Sequence, residues 1–419
     1  MAVSRRVCFR LRWLSLAVAL LVHAGPARAQ DHRAIARRVL ERAPLIDGHN
    51  DLPWTIREQG DVAARGAGAA VAGYDLRGRT RGHTDLPRLR QGMVGGQLWS
   101  VYVGCELAGP GAARVQLEQI AVARAMIDAH RDALRLAVTA ADVEQTVRDG
   151  RIASLLGMEG AHPLEGSVGA MRAFRDLGVR SVGLTHNCTN EFADAGLGAA
   201  RHGGLSERGV ALVAELNRLG VLVDLAHASV ATMQDALDAS AAPVIWSHAA
   251  ARALVNHPRN VPDEVLRRLA ANGGVVMVAF VPAYVSEPHR VWEAAELAES
   301  GRLEREHGKG DPRVRAGMDA WRRAHAPPPA TLAQVADHVE HVRRVAGADH
   351  VGIGADFDGI ARVVRGLEDV STYPALFAEL SRRGWREDEL AKLAGGNLLR
   401  VLRAAEETAR RLNGGGRAR

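Results

Sequence analysis

The segment LIDGHNDLPW, residues 45–54, places His49 and Asp51 two positions apart at the end of an apolar run. Residues i and i+2 of a β-strand lie on the same face. An imidazole and a carboxylate would therefore point together from the end of one strand. Because both groups bind divalent cations such as zinc, this segment predicts the beginning of a metal site.

Later apolar runs also end in residues that can bind metal or transfer protons. These residues are Glu159, His186, His227, His248, Asp356 and Asp358. Several imidazoles and carboxylates at one place suit two divalent cations bridged by a carboxylate. Such a pair lowers the pKa of a shared water and polarises a carbonyl oxygen. The residue types therefore indicate hydrolysis of an amide by a metal-activated hydroxide.

The apolar runs that carry these residues predict eight β-strands. They cover residues 43–49, 96–103, 152–159, 179–186, 220–227, 242–248, 273–281 and 350–357. Apolar and polar residues do not alternate within them, which is typical of parallel strands buried on both faces. Segments with helical spacing lie between the strands, at 114–131, 167–178, 205–220, 262–274 and 331–347.

Repeated strand–helix units predict an α/β fold, specifically a closed (β/α)8 TIM-type barrel. An open doubly wound sheet is the alternative, but no G-x-G-x-x-G follows the first strand. In a barrel the carboxyl ends of all strands meet at one mouth, so the polar residues would face one another. Two long segments, 60–95 and 282–330, are interpreted as insertions after strands one and seven.

The N-terminus has the pattern of a signal peptide. Residues 1–29 contain five arginines, no acidic residue, an apolar run at 14–22 and the sequence Ala-Arg-Ala before Gln30. A retained membrane anchor is the alternative, although the apolar run is short for a bilayer. Cleavage would leave 49 basic and 48 acidic residues, a net charge of +1. The excess of arginine therefore gives no evidence of nucleic-acid binding.

Residues 30–419 are expected to form a single metal-dependent hydrolase barrel domain, exported to the periplasm or secreted. No apolar tail follows RLNGGGRAR, so no stable membrane anchor is expected after signal cleavage. Cys105 and Cys188 remain in the exported chain, either as a disulfide or as two buried thiols.

Each polar residue also has a structural alternative. His49 and Asp51 could form a hydrogen bond at the strand end. His186 could cap a helix or lie in the core, and Asp356 could close a loop. Asp358 is interpreted as structural. Six further histidines lie in helical or charged stretches and are predicted to be solvated: His130, His289, His307, His325, His338 and His341.

Seven stretches of the chain together resemble a known family. They are IDGHNDLPW, LLGMEGAHPL, VGLTHNCTNEFADA, VDLAHAS, PVIWSHAAARALVNHPRN, VGIGADFDG and GGNLLRV. In this order they resemble the membrane (renal) dipeptidase family of zinc peptidases. The resemblance extends from about residue 40 to residue 405, so it covers nearly all of the chain after the predicted signal peptide.

The resemblance implies a set of metal ligands. His49 and Asp51 would bind one zinc ion, and His227 and His248 would bind the second. Glu159 would bridge the two ions.

The resemblance also implies residues that handle the substrate. His186 would contact the substrate and steady the tetrahedral intermediate, and Asp356 would handle the proton near the bridging water. Arg259 would bind the terminal carboxylate of the substrate, because its planar guanidinium can bind a carboxylate through two hydrogen bonds. Trp54 and Tyr284 stand at positions of pocket residues.

The function implied is that of an exported dipeptidase with two Zn²⁺ ions per chain, which hydrolyses dipeptides with a free C-terminal carboxylate. The family also pairs cysteines at positions matching Cys105 and Cys188, and its members are commonly dimers, so a homodimer is a candidate assembly. One other hypothesis is an amidohydrolase for N-acyl amino acids or β-lactam-like amides. Another is a catalytically inactive peptide-binding protein.

Overall fold

The computed structural model describes Met1, residues 31–43 and residues 45–414. The predicted signal peptide, apart from Met1, lies outside the described residues, as does Pro44 of the first predicted strand. The described residues from His32 to Gly414 form one compact unit. In the part of the chain that is described, no helix has both the length and the apolar character needed to cross a membrane.

The sheet is a closed parallel barrel. Its strands are β1 Leu45–Asn50, β2 Val94–Ser100, β3 Leu134–Leu136, β4 Ile152–Met158, β5 Val179–Gly183, β6 Leu222–Asp224, β7 Ile245–Ala249, β8 Val275–Val278 and β9 Val351–Ile353. They are ordered β2-β1-β9-β8-β7-β6-β5-β4, and β2 also pairs with β4, which closes a ring of eight. The predicted (β/α)8 barrel is confirmed, and the open sheet is wrong.

One strand was missing from the sequence prediction. β3 pairs in parallel with the first three residues of β4, from Ile152 to Ser154, and stays outside the closed ring. It contains only three residues, one of them Arg135, so it has too few apolar positions to form a recognisable pattern.

Helices surround the barrel. They are α1 His32–Arg42, α2 Leu52–Gly60, α3 Val62–Arg65, α4 Ala67–Ala72, α5 Leu86–Gln91, α6 Ala112–Ala129, α7 Ala140–Arg148, α8 Met171–Asp176, α9 Glu207–Leu219, α10 Val230–Ala239, α11 Asp263–Leu266, α12 Leu269–Asn272, α13 Pro282–Val285, α14 Glu287–His307, α15 Pro312–Ala324, α16 Leu332–Ala346, α17 Tyr373–Arg382, α18 Glu387–Ala391 and α19 Asn397–Gly414. Short 3₁₀ turns lie at Cys105–Leu107, His162–Leu164, Val168–Ala170 and Ala348–His350, and Lys392–Gly396 is π-helical.

Local capping explains where the best-predicted helices begin and end. The side chain of Ser206 accepts a hydrogen bond from the Gly209 amide at the start of α9, and Gly220 ends this helix with a φ of +67°. α16 begins with a capping box between Thr331 and Gln334. The predicted helix 262–274 is wrong as a single element, because it forms the two short helices α11 and α12.

The segment 282–330 is mostly helical. α14 and α15 pack together through Trp292 and Trp321, whose ring centroids are 5.7 Å apart. The indole nitrogen of Trp292 donates a hydrogen bond to the carbonyl of His325 at 2.8 Å. Exposed apolar residues such as Val291 and Leu297 alternate with charged residues along α14, so the sequence shows no clear helical pattern there.

Four of the six histidines predicted to be solvated are buried, so that prediction is wrong for them. They are His130, His289, His338 and His341. Each has a polar partner: for example, Nδ1 of His338 accepts a hydrogen bond from the Ala251 amide at 3.0 Å. Helical spacing alone did not show which side of each helix faces the core.

Acidification is expected to weaken the fold through His338. This side chain is 1% exposed, and burial lowers the pKa of His338 to about 4. The unfolded chain takes up the proton near pH 6.5, so stability falls as the pH drops from 6.5 towards 4. Between pH 7 and pH 5 this group should cost about 2 kcal/mol of unfolding free energy. Urea unfolding at both values checks this.

His338→Asn is the matched control for this effect, because an amide oxygen can accept the same hydrogen bond without titrating. Between pH 7 and pH 5, the unfolding free energy of the variant should fall by about 2 kcal/mol less than that of the natural protein. An equal loss in both proteins would contradict the assignment.

Candidate metal centre and active site

The closed barrel brings the predicted ligands to one end of the strands. His49 lies in β1 and His248 in β7, while Glu159 directly follows β4. His227 follows β6 by three residues, and Asp51 follows β1 directly. The Asp51 amide donates a hydrogen bond to the carbonyl of Phe357 at 2.9 Å, which ties the end of β1 to the segment after β9.

The Glu159 carboxylate lies at the centre of the cluster. Its Oε1 is 2.9 Å from Nε2 of His227 and 3.4 Å from Nε2 of His248. Its Oε2 is 3.5 Å from Nε2 of His49, and that nitrogen is 3.1 Å from Oδ2 of Asp51. One carboxylate therefore contacts both halves of the predicted ligand set.

The donor groups fit a pair of divalent cations. Their ligand atoms fall into three groups, each within 4.8 Å: His49, Asp51 and Glu159; Glu159, His227 and His248; and His49, His248 and Asp356. The first two groups share Glu159, as a bridging carboxylate requires. Oδ1 of Asp51 is buried and has no hydrogen-bond partner among the described residues, so it retains a free acceptor for a cation.

Neighbouring side chains orient two of the imidazoles. Nδ1 of His227 lies 2.9 Å from Oδ1 of Asn187, and Nδ1 of His248 lies 2.9 Å from Oγ of Ser247. Each contact can hold the proton on Nδ1, which leaves Nε2 facing Glu159 as a ligand atom. The sequence prediction missed Asn187 and Ser247, although each is adjacent to a predicted site histidine.

Burial and neighbouring charges set the protonation of the cluster. Burial holds the pKa values of His227 and His248 well below the usual range of histidine, so both imidazoles are neutral, as ligation requires. Burial opposes the charge of Glu159, but His49, His227 and His248 hold its pKa well below the usual range. The Glu159 carboxylate at the centre of the cluster is therefore ionised.

Asp356 lies at the edge of this cluster. Its Oδ1 is 3.9 Å from Nε2 of His49. Burial raises the pKa of Asp356 well above its usual range, although the charge of His49 opposes the shift. Asp356 and His227 have φ values of +69° and +68°, which are rare for residues other than glycine and cluster at functional sites.

Gly359 allows two carboxylates to approach the same turn. A Cβ atom added there would lie 2.3 Å from Oδ2 of Asp51 and 2.6 Å from Oδ1 of Asp356. Asp358, by contrast, accepts a hydrogen bond from the amide of His83 at 2.7 Å and belongs to none of the three ligand groups. Its contacts agree with the structural interpretation.

His186 stands beside the cluster on a cross-linked segment. Its Nε2 is 4.0 Å from Oε1 of Glu159, and its ring lies 4.8 Å from that of Tyr102. Cys105 and Cys188 form a disulfide, and Sγ of Cys105 lies 3.5 Å from Nδ1 of His186. The disulfide thus joins the segments after β2 and β5 directly behind His186.

Removal of this disulfide is expected to lower both stability and turnover. The bond closes a separation of 83 residues, and native disulfides typically contribute about 2–4 kcal/mol. Cys105→Ser/Cys188→Ser should therefore lower Tm, and kcat should fall about tenfold because His186 is held less firmly. Calorimetry and initial rates measure the two effects. Unchanged kcat in a folded variant would contradict the positioning role.

Arg259 is buried beside the cluster, and no carboxylate of the described residues forms an ion pair with it. It is 1% exposed, and its Nε, Nη1 and Nη2 have no hydrogen-bond partner among the described residues. Its Cζ lies 5.2 Å from the centroid of the Tyr284 ring. A buried guanidinium without hydrogen bonds is costly unless a ligand supplies acceptors, so Arg259 indicates an anion site.

A cavity of about 620 Å³ opens onto the cluster. The predicted pocket residues Trp54 and Tyr284 both line it, and Trp54 packs edge-on against Tyr102 at 4.8 Å. The sequence prediction missed Tyr102, because the predicted strand 96–103 that contains it has no metal-binding side chain. The cavity is also lined by Asp51, Glu159, His186, His227, His248 and Asp356.

Comparisons with known proteins identify the family to which this chain belongs. Residues 33–415 match the membrane dipeptidase family, peptidase family M19. The chain is 39% identical over 401 residues to dipeptidase verJ from Clonostachys rogersoniana, with 92% of this chain and 90% of the relative covered.

Solved structures show the same fold. The probable dipeptidase PvdM from Pseudomonas aeruginosa superposes with a TM-score of 0.78 at 24% identity, covering 90% of this chain and 99% of that one. A metallopeptidase from Rhodobacter sphaeroides was solved with a phosphinate mimic of the dipeptide L-Ala-D-Ala. It superposes with a TM-score of 0.68 at 26% identity, and the match covers 87% of this chain and 99% of that one. The chain belongs to the membrane dipeptidase family, peptidase family M19, and is a metallo-dipeptidase.

Proposed function

We propose that this dipeptidase is exported and cleaves dipeptides with a free C-terminal carboxylate at a centre of two zinc ions. The observation that carries the substrate assignment is Arg259, whose three buried guanidinium nitrogens lack partners among the described residues. A substrate carboxylate would supply the missing acceptors and could bind through two hydrogen bonds. The N-terminal sequence pattern supports export.

The proposed metal ligands follow the two groups that share Glu159. His49 and Asp51 would hold one ion, and His227 and His248 the other, with Glu159 contacting both. When bound, the ions supply an activated water at neutral pH and polarise the scissile carbonyl. Zinc fits a set of imidazoles and carboxylates, because it accepts both ligand types.

The remaining residues bind the dipeptide and move protons. Arg259 would bind the terminal carboxylate and so fix the scissile amide over the cluster. Asp356 would accept a proton from the attacking water and deliver it to the amine as the carbon–nitrogen bond breaks. His186 would donate a hydrogen bond to the oxygen that becomes negative during attack; such groups commonly contribute about 3 kcal/mol.

An N-acyl amino acid also has a free carboxylate, so Arg259 alone does not distinguish it from a dipeptide. The relatives favour dipeptides, since the Rhodobacter sphaeroides neighbour was solved with a dipeptide mimic. The experiment is a hydrolysis panel of L,L- and L,D-dipeptides, dipeptide amides and N-acetyl amino acids, using protein with measured metal content. Faster cleavage of N-acetyl amino acids than of any dipeptide would contradict the proposal.

A further inference from the structure

Helix α14 forms one wall of the cavity. His289, Glu293 and Leu297 are spaced four residues apart, lie on one face of this helix and line the cavity. Leu297 is 68% exposed, whereas Glu293 is half-buried. This wall therefore presents a carboxylate between an imidazole and an apolar side chain.

Glu293 differs from most acidic residues of α14. The helix contains six glutamates, and four of them form ion pairs with arginine: Glu287, Glu296, Glu299 and Glu306. Within the described chain, no basic side chain lies within ion-pair distance of Glu293. It is the unpaired glutamate of this helix that lines the cavity.

Arg362, an arginine that lines the same cavity, already forms an ion pair with Glu296. Nη2 of Arg362 lies 2.7 Å from Oε1 of Glu296, and its Cζ lies 4.5 Å from the Trp292 ring centroid. Burial raises the pKa of Glu293, and the charges of His289 and Arg362 oppose this shift only in part. A cation entering the cavity would therefore stabilise the ionised carboxylate.

Helix α14, which carries Glu293, follows directly after the segment that contacts Arg259, the proposed binding residue for the C-terminal carboxylate of the substrate. Tyr284 lies in α13, directly before α14, and its ring covers Arg259. Tyr284 and Glu293 both line the cavity. With the terminal carboxylate bound at Arg259, the side chain of the C-terminal residue would extend along this wall.

We infer that Glu293 selects dipeptides whose C-terminal residue has a basic side chain, by forming an ion pair with it. This inference rests on the proposed binding of the terminal carboxylate at Arg259. Glu58 also lines the cavity but is exposed to solvent, where an ion pair contributes little.

The test compares Ala-Lys with Ala-norleucine, each with the second residue in L and D form. Norleucine has the apolar part of the lysine side chain without the ammonium group. The natural enzyme should show a kcat/KM about tenfold higher for the lysine peptide, mainly through KM. Glu293→Gln should remove this preference and leave Ala-norleucine within twofold. Glu58→Gln and Glu304→Gln, an acid of α14 outside the cavity lining, should preserve the preference.

An equal kcat/KM for the two peptides in the natural enzyme would overturn the inference, as would a preference that survives Glu293→Gln. If Glu58→Gln lost the preference for lysine as fully as Glu293→Gln, the preference would come from the overall negative charge of the cavity. That result would also overturn the role of Glu293. Turnover of norleucine peptides would show that the proposed function still holds in these cases. Failure to cleave any dipeptide would overturn both.

Discussion

Glu159→Gln is expected to lower kcat/KM for dipeptides by at least about a thousandfold, because metal-ion catalysis contributes several kcal/mol to such barriers. The Glu159 carboxylate lies within 3.5 Å of Nε2 of His49, His227 and His248, so it contacts both proposed ion sites. An amide keeps the size but loses the charge and one acceptor oxygen. Initial rates and metal content by elemental analysis test the expectation together.

Loss of activity should be accompanied by loss of bound metal, because the remaining ligands no longer share a bridging group. Glu407→Gln changes an exposed glutamate of α19 in the same way and should leave both quantities unchanged. A Glu159→Gln protein that keeps two metal equivalents and turns over within tenfold of the natural enzyme would contradict the bridging role.

Arg259→Met is expected to lower kcat/KM for dipeptides about a hundredfold or more, mainly by raising KM. Breaking a desolvated charge pair commonly costs about 2–5 kcal/mol. Methionine fills much of the same space without charge, so the variant tests the guanidinium itself. The effect should be small for dipeptide amides, whose terminal carboxylate is absent, and the ratio of the two substrates measures the interaction.

The thermal stability of Arg259→Met distinguishes a substrate-binding role of Arg259 from a structural one. The Arg259 nitrogens have no hydrogen bonds to lose among the described residues, so Tm should stay the same or rise in Arg259→Met. Arg290→Met removes an arginine that is paired with Glu287 outside the cavity lining and should leave KM unchanged. An equal loss on dipeptides and dipeptide amides would contradict the assignment of Arg259 to the carboxylate.

Much of the candidate site could be predicted because metal-binding side chains directly follow recognisable strands. His49, Glu159 and His248 each end a buried apolar run, and barrel topology requires such ends to meet. The strand pattern is local, so neighbouring residues carry enough information to detect it. Short β3 and the split of the predicted helix 262–274 were not predicted, since packing overrides weak local preference in such short elements.

The sequence by itself determined the barrel class, the metal-binding residue types and, through family resemblance, their assignment to a dipeptidase. Only the tertiary structure decided that Arg259 is buried without acceptors, that four histidines are buried, and that α14 presents Glu293 to the cavity. The physical reason is that residue type and spacing are properties of the chain. Desolvation and the presence or absence of a partner depend on atoms that distant segments bring together.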